Sequence, residues 1–307
     1  MTPRVFVADY QFFACGNVFT QGLLHAAQEL GLPYAHAESR DPNLERAIVS
    51  FRPDLLLVVH GRIASARLAK ILPGLNTAVW LLDEPYEVDD TSRWSGRYGH
   101  TFVCDRATLS RHQRSTYLPV CADPQVHTPG AGPRPHQVGF IGGANATRDR
   151  FLAALARAGH LSYVVGGDWA SPEVRRLCRA RNIPPAQTAQ LYQQTQIVVN
   201  VFRETHHYNR DKVAATALNP RVYEAFACGA LVVSEWRPEA ETLLPEMPTF
   251  HTPDECVALV ADLLAQPERA ETLRVLCAAR LASHTYRARL ETVLKVCQVN
   301  VPLEVAI

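Results

Sequence analysis

Short apolar runs of about five residues recur along this chain, each followed by a segment of helical spacing, and the pattern occurs twice. In the first half the runs are Arg4 to Ala8, Leu55 to Val59, Ala78 to Leu82, Thr101 to Cys104 and Tyr117 to Val120. In the second they are Val138 to Ile141, Leu161 to Val165, Ile197 to Phe202 and Leu231 to Val233. A continuous apolar run fits a strand covered on both faces, and strands alternating with helices imply βαβ units in parallel sheets. Between the two series lies a stretch rich in Pro, Gly and His, Ala122 to Gln137, suited to a connection between domains. A length of 307 residues accommodates two such domains.

The charge balance excludes a global basic field for nucleic acid, since Lys and Arg total 31 against 30 for Asp and Glu. Arg175, Arg176, Arg179 and Arg181 read as a solvated helix face. Eight cysteines are scattered with no Cys-x-x-Cys pair, which argues against a zinc ribbon or a redox dithiol and suits a reducing compartment. The N-terminus shows no signal-peptide pattern, and no apolar run approaches the ~18 residues of a membrane span. The expected location is cytoplasmic, with peripheral membrane contact left open.

In open parallel sheets ligands gather beyond the carboxyl ends of the strands, so those ends define the search for a site. In the first half they are Gly16-Asn17, His60-Gly61 and Asp83-Glu84, with Asp105. His60 and Asp83 are candidate acid–base groups, as imidazole or carboxylate can take a hydroxyl proton. In the second half, Gly142-Gly143-Ala-Asn-Ala-Thr-Arg148 is a glycine turn opening a helix, where backbone N–H groups can meet a phosphate. It lacks the third glycine of a dinucleotide fingerprint and any Walker lysine. Gly166-Gly167-Asp168-Trp169 closes the next strand. The polar loop from Arg203 to Leu218 is long for a compact domain, and Arg203, Arg210 and Lys212 offer cations for a diphosphate. His206 and His207 are adjacent and poorly placed to aim both rings at one ion, so no metal is expected.

The segment Asn219-Pro-Arg-Val-Tyr-Glu-Ala-Phe-Ala-Cys-Gly-Ala-Leu-Val-Val-Ser-Glu235 reads as a polar loop, a proline-initiated helix, a glycine stop and a buried strand. Glu224 sits early in that helix. This block resembles the donor-binding segment of GT-B glycosyltransferases, in the variant of the spore-maturation CgeB-like family. The resemblance extends to Ala78-Val-Trp-Leu-Leu-Asp-Glu-Pro-Tyr86, Val138-Gly-Phe-Ile-Gly142, Val198-Val-Asn-Val201, Phe250-His-Thr-Pro-Asp-Glu-Cys-Val-Ala-Leu-Val260 and His284-Thr-Tyr-Arg-Ala-Arg289.

The resemblance implies an α/β GT-B fold, two Rossmann-like parallel-sheet domains facing across a cleft. It places an acceptor-side domain at 1–125, a linker at 126–137, and a nucleotide-sugar domain at 138–283. A final segment, 284–307, would cross back to the first domain as a helix. It implies a metal-independent glycosyltransferase of hexosyltransferase type, with no cofactor beyond its nucleotide-diphosphate sugar donor, a UDP-sugar foremost. Glu224 would bind ribose, and Arg221, Asn219 and Tyr223 with Gly142, Gly143 and Arg203 would meet the donor. Asp83 and His60 would work across the cleft. A non-catalytic nucleotide-sugar binder, a GT-B epimerase or a phosphorylase are the rival readings. The acceptor (protein, polysaccharide, lipid, small molecule or modified nucleic acid) and the oligomeric state stay open. Many retaining GT-B enzymes carry a pair of glutamates here. Glu224 matches the second, whereas Thr216 stands at the first, so retention or inversion is not carried over.

Overall fold

The computed structural model describes residues 2–9, 18–203 and 208–299. The first half contains β1 (Val5–Asp9), α1 (Val18–Glu29), β2 (Tyr34–Glu38), α2 (Leu44–Phe51), β3 (Leu55–Val59) and α3 (Arg62–Arg67). It continues through β4 (Thr77–Leu81), α4 (Val88–Trp94), β5 (His100–Val103) and β6 (Ser115–Tyr117). The second begins with β7 (His136–Ile141), α5 (Ala146–Arg157), β8 (Leu161–Val165), α6 (Pro172–Leu177), β9 (Cys178–Ala180) and α7 (Pro185–Gln193). Next come β10 (Thr195–Asn200), α8 (Pro220–Ala227), β11 (Leu231–Glu235), α9 (Pro238–Leu243) and β12 (Thr249–Phe250). Three helices close the chain: α10 (Pro253–Ala265), α11 (Pro267–Leu281) and α12 (Tyr286–Val296).

These elements form two six-stranded sheets, ordered β2-β1-β3-β4-β5-β6 and β12-β11-β10-β7-β8-β9, with every pairing parallel. The strand order reverses between β1 and β3 in one sheet and between β7 and β10 in the other. Such reversals open a crevice at the carboxyl edge, where crossovers leave to opposite faces. His60 follows β3, and Gly142 follows β7, so both stand at a reversal point.

The apolar runs became central strands because they are buried on both faces; β1, β3 and β4 are buried throughout. The edge strand β2 escaped notice because only its Ala37 is fully buried, leaving no apolar run to see. Of the run expected at Tyr117 to Val120 only Tyr117 is in the strand, with the Leu118 N–H still donating to Val103 O on β5 at 2.9 Å. The carbonyls of Pro119 and Val120 instead accept from Arg289 Nε and Nη2, at 2.7 and 3.1 Å.

That arginine lies on α12, which returns to the first sheet and packs on α1. Gly22 on α1 makes the approach possible, since a Cβ there would fall 2.3 Å from the Tyr286 ring. Tyr286 meets Phe19 and Trp80 edge-on, and Leu290, Val293 and Leu294 complete the same core. A bridge between Ala122 and Thr285 places both connections between the sheets side by side.

Candidate functional site

A cavity of about 810 Å³ opens between the carboxyl edges of the two sheets. Asp83, Tyr86 and Asp105 line it from the first half, and Gly142, Gly143, Arg148, Arg203, Asn219, Arg221 and Glu224 from the second. The far end, toward α7, is formed by Gly166, Gly167, Asn182, Ile183 and Thr188. Trp169 is not part of it; its ring is buried edge-on to Phe140. Gly16-Asn17 and the pair His206-His207 lie outside the described residues.

Two guanidinium groups dominate the middle of the cavity. Arg221 donates from Nε to Ile141 O at 2.8 Å and from Nη1 to Asn200 Oδ1 at 2.5 Å. Its guanidinium stacks on Phe140, 4.6 Å from the ring centroid. Arg148 donates to Val201 O at 2.9 Å and Gly143 O at 2.8 Å, and reaches the same ring at 5.7 Å. Burial, and then Arg221 and Arg203 beside it, push the Arg148 pKa down to about 9. Burial likewise lowers that of Arg221. Neither makes an ion pair among the described residues, and every hydrogen-bond acceptor named here for them is neutral. Two crowded cations without an ion-pair partner, beside open space, form an arrangement that could hold an anion.

Local chemistry builds this arrangement. Asn145 caps α5 by accepting the Arg148 N–H at 2.9 Å, which sets the arginine at the third helical position, over the turn. Gly142 is required less for phosphate approach than for Arg221, whose Nη2 would lie 2.3 Å from a Cβ at that position. A Cβ on Gly143 would meet nothing within 4 Å, so this residue faces open space. Asn200, at the end of β10, accepts from both Arg221 and Asn219 Nδ2 (2.9 Å) and donates to Ser234 Oγ at 2.9 Å. Asn219 Oδ1 is buried without a hydrogen-bond partner. Sequence reading missed the roles of Arg148 and Asn200. The N-cap three residues ahead was the available signal for the first, and a polar residue ending an apolar strand for the second.

On α8, Arg221 and Glu224 are three apart and share the face toward the cavity. Tyr223 is turned from Glu224 by about 100° and does not line it, which corrects its expected donor contact. Its ring is buried 5.7 Å from the imidazole of His284. Glu224 lines the cavity half-buried, its carboxylate making no hydrogen bond or ion pair to another described residue.

Across the cleft, Asp83 Oδ1 accepts from Arg203 Nη2 at 2.6 Å, and Arg203 stacks on Tyr86 at 4.3 Å. His60 stands behind Asp83 rather than in the cavity. Its Nδ1 is 4.0 Å from Asp83 Oδ2 and its Nε2 3.6 Å from Glu87 Oε2. Its backbone is left-handed at φ 65°, and its N–H donates to Trp80 O at 2.8 Å. Burial lowers the His60 pKa against the pull of Asp83, whereas burial and Asp83 raise that of Glu87. Candidate ligand atoms of His60, Asp83 and Glu87 lie within 4.8 Å of one another, although Arg203 already occupies one Asp83 oxygen.

The loop after Arg203 is a strap on the first half, and this corrects the expected role of its later cations. Arg210 pairs with Asp89, exposed to solvent, and Lys212 is exposed as well. Neither lines the cavity. Tyr208 exchanges backbone hydrogen bonds with Tyr86 and Asp89, and Arg111 pairs with Asp211. Asp105 accepts from Thr216 N, Thr216 Oγ1 and Ala217 N at 2.7, 2.5 and 3.0 Å. Reciprocally, Glu239 of the second half accepts Leu218 N–H at 2.6 Å and the Tyr117 hydroxyl of the first. Burial pushes the Glu239 pKa up to about 7.

Two Rossmann-like parallel sheets facing across a cleft constitute the GT-B fold of glycosyltransferases and epimerases. Residues 148–295 match a family model described as glycosyl transferase-like. No curated protein gives a significant sequence match. Among solved structures, an α,α-trehalose 6-phosphate synthase from Burkholderia multivorans is similar, with a TM-score of 0.61 at 11% identity, covering 97% of this chain and 98% of that one. A putative UDP-N-acetylglucosamine 2-epimerase from Listeria monocytogenes gives 0.60 at 8% identity, covering 96% and 95%. A UDP-GlcNAc 2-epimerase from Neisseria meningitidis, bound to UDP-GlcNAc, gives 0.56 at 11%, covering 95% and 100%.

Proposed function

We propose that the protein transfers a sugar from a nucleoside-diphosphate sugar, with UDP as the foremost nucleotide, to an acceptor approaching from the first sheet. The observation that carries this reading is the pair Arg148 and Arg221, both against the Phe140 ring and neither in an ion pair with a described residue. A diphosphate seated on them, on the open backbone at Gly143 and near the start of α8 would supply the missing charge. As the glycosidic bond breaks, negative charge grows on the leaving phosphate. The fixed guanidinium groups would stabilise it without reorganising. Metal independence follows in this reading, because arginines take the place of a divalent cation.

Asp83 would face the acceptor, with Arg203 holding its carboxylate and His60 supporting it from behind. An Asp83 carboxylate bonded to Arg203 is a positioned base or hydrogen-bond acceptor for an incoming hydroxyl. We carry the CgeB-like relationship as part of the same reading, on the sequence blocks above. The seven cysteines among the described residues are unpaired, and no helix there is long and apolar enough to cross a membrane. This supports a reducing, cytoplasmic setting.

The test is a thermal-shift screen against UDP, GDP, TDP and their sugars, followed by turnover of the hits with and without EDTA. A donor that stabilises the protein and is consumed, with nucleoside diphosphate released, is the expected result. Conversion of the sugar without release would reassign the chain to an epimerase, and binding without turnover to a non-catalytic binder. Loss of activity in EDTA would end the metal-independent reading.

A further inference from the structure

The connection between the sheets carries a histidine that the donor reading leaves unused. His127 is only 4% exposed, yet it lines the cavity. Its Nδ1 accepts the backbone N–H of Asp123 at 3.2 Å, while the backbone N–H of His127 donates to Asp123 O at 2.7 Å. A nitrogen that accepts must carry a lone pair, so the proton of the neutral ring sits on Nε2. Nε2 makes no hydrogen bond to another described residue, and His127 lines the cavity.

The same turn lies against the end of α8. The backbone of Thr128 meets the Cys228 thiol, and Pro129 Cβ lies 3.7 Å from where a Cβ on Gly229 would stand. Glu224 and Cys228 are one helical turn apart on a common face. The turn that carries His127 therefore packs on the helix that carries Glu224, and both residues line the one cavity. A carboxylate accepts from two hydroxyls, and the imidazole N–H adds one donation. A vicinal diol, whose hydroxyls each donate and accept, is the complement.

Resting on the donor reading above, we propose that His127 and Glu224 together clamp the ribose diol, and that His127 makes the site select ribonucleoside over 2′-deoxyribonucleoside diphosphates. Glu224 accepts from both hydroxyls, and His127 Nε2–H donates to the 2′ oxygen. A deoxy ligand leaves that buried N–H and one carboxylate lone pair without partners, the situation in which a polar site rejects an analogue most strongly.

Titration calorimetry of the whole chain with UDP, dUDP, GDP and dGDP tests this. The unaltered protein should favour the ribo form by about ten- to a hundredfold. His127→Ala should lower that preference severalfold by weakening the ribo ligand alone, the remainder resting on Glu224, and His127→Gln, which keeps an N–H donor, should lower it less. Melting temperatures of both variants identify any loss of folding, and the Gln variant carries the test if Ala fails to fold. Equal weakening of ribo and deoxy ligands, or a preference left unchanged by His127→Ala, overturns the proposal. If the unaltered protein binds no nucleoside diphosphate, the donor reading itself falls, and this inference with it.

Discussion

Arg221 Nη1 stands 2.5 Å from Asn200 Oδ1, so the most deeply buried cation of the cavity is held by a neutral amide. An amide fixes the geometry of a guanidinium and leaves its charge available to a ligand. A carboxylate at the same point would consume it.

Asn200→Asp should therefore weaken nucleoside-diphosphate binding by at least about tenfold, while the fold gains an ion pair. Calorimetry with UDP or GDP, alongside the melting temperature, reads both effects. Unchanged affinity would show that the anion does not sit on Arg221.

Arg148 presents its head group to the cavity and bonds only to main-chain carbonyls. Arg148→Met keeps much of the packing on Phe140 and removes the charge. A charged hydrogen bond contributes roughly 1.5–3 kcal/mol, so affinity should fall by about ten- to a hundredfold. The loss should be larger for a diphosphate than for the nucleoside, whose binding serves as the internal control.

The two turn glycines should behave differently. Gly142→Ala drives a methyl group into Arg221 Nη2, so it should lower both stability and nucleotide affinity. Gly143→Ala meets open space, so its melting temperature should stay close to that of the unaltered protein. Any effect of the second variant should appear in binding alone, as its methyl group projects where a ligand would lie.

The clasp at Glu239 carries a pH dependence. Its carboxyl is pushed up to about 7 in the fold, against roughly 4.3 in an unfolded chain. Between those values the folded state binds more protons than the unfolded one. Stability from this group is thus complete below the unfolded pKa and is lost as pH rises through about 7. Glu239→Gln should flatten the fall in urea midpoint between pH 5 and pH 8 and make the protein relatively more stable at the higher pH. A slope that persists in the variant would assign the dependence to another group.

Much of the architecture was legible because parallel strands buried on both faces appear as unbroken apolar runs, such as Leu55 to Val59 and Leu161 to Val165. Pro267 to Leu281 was legible for its period and its proline start. The edge strands β2 and β9 and the short helices α3, α4 and α9 were not, because half-buried elements of a few residues carry too little periodicity to separate from loops. In the site, Asp83, Glu224 and Arg221 could be named because strand ends and helix starts are where a parallel sheet exposes polar groups.

Which of those polar groups face one another is a tertiary matter. Local spacing made Arg210 and Lys212 look equivalent to Arg203. Yet the strap lies on the first half, so Asp89 takes Arg210 while only Arg203 reaches Asp83 and the cavity. Thr216 marks an absent glutamate in the sequence, and only the fold shows its hydroxyl bound to Asp105 across the cleft. The chain alone determined the two-sheet pattern and a carboxylate helix beside a phosphate-friendly turn, because burial and helix starts leave local signatures. The meeting of Arg148 and Arg221 at Phe140, and the lining of one cavity by His127 and Glu224, were decided by the tertiary fold. Contacts between residues distant in sequence leave no periodic trace in it.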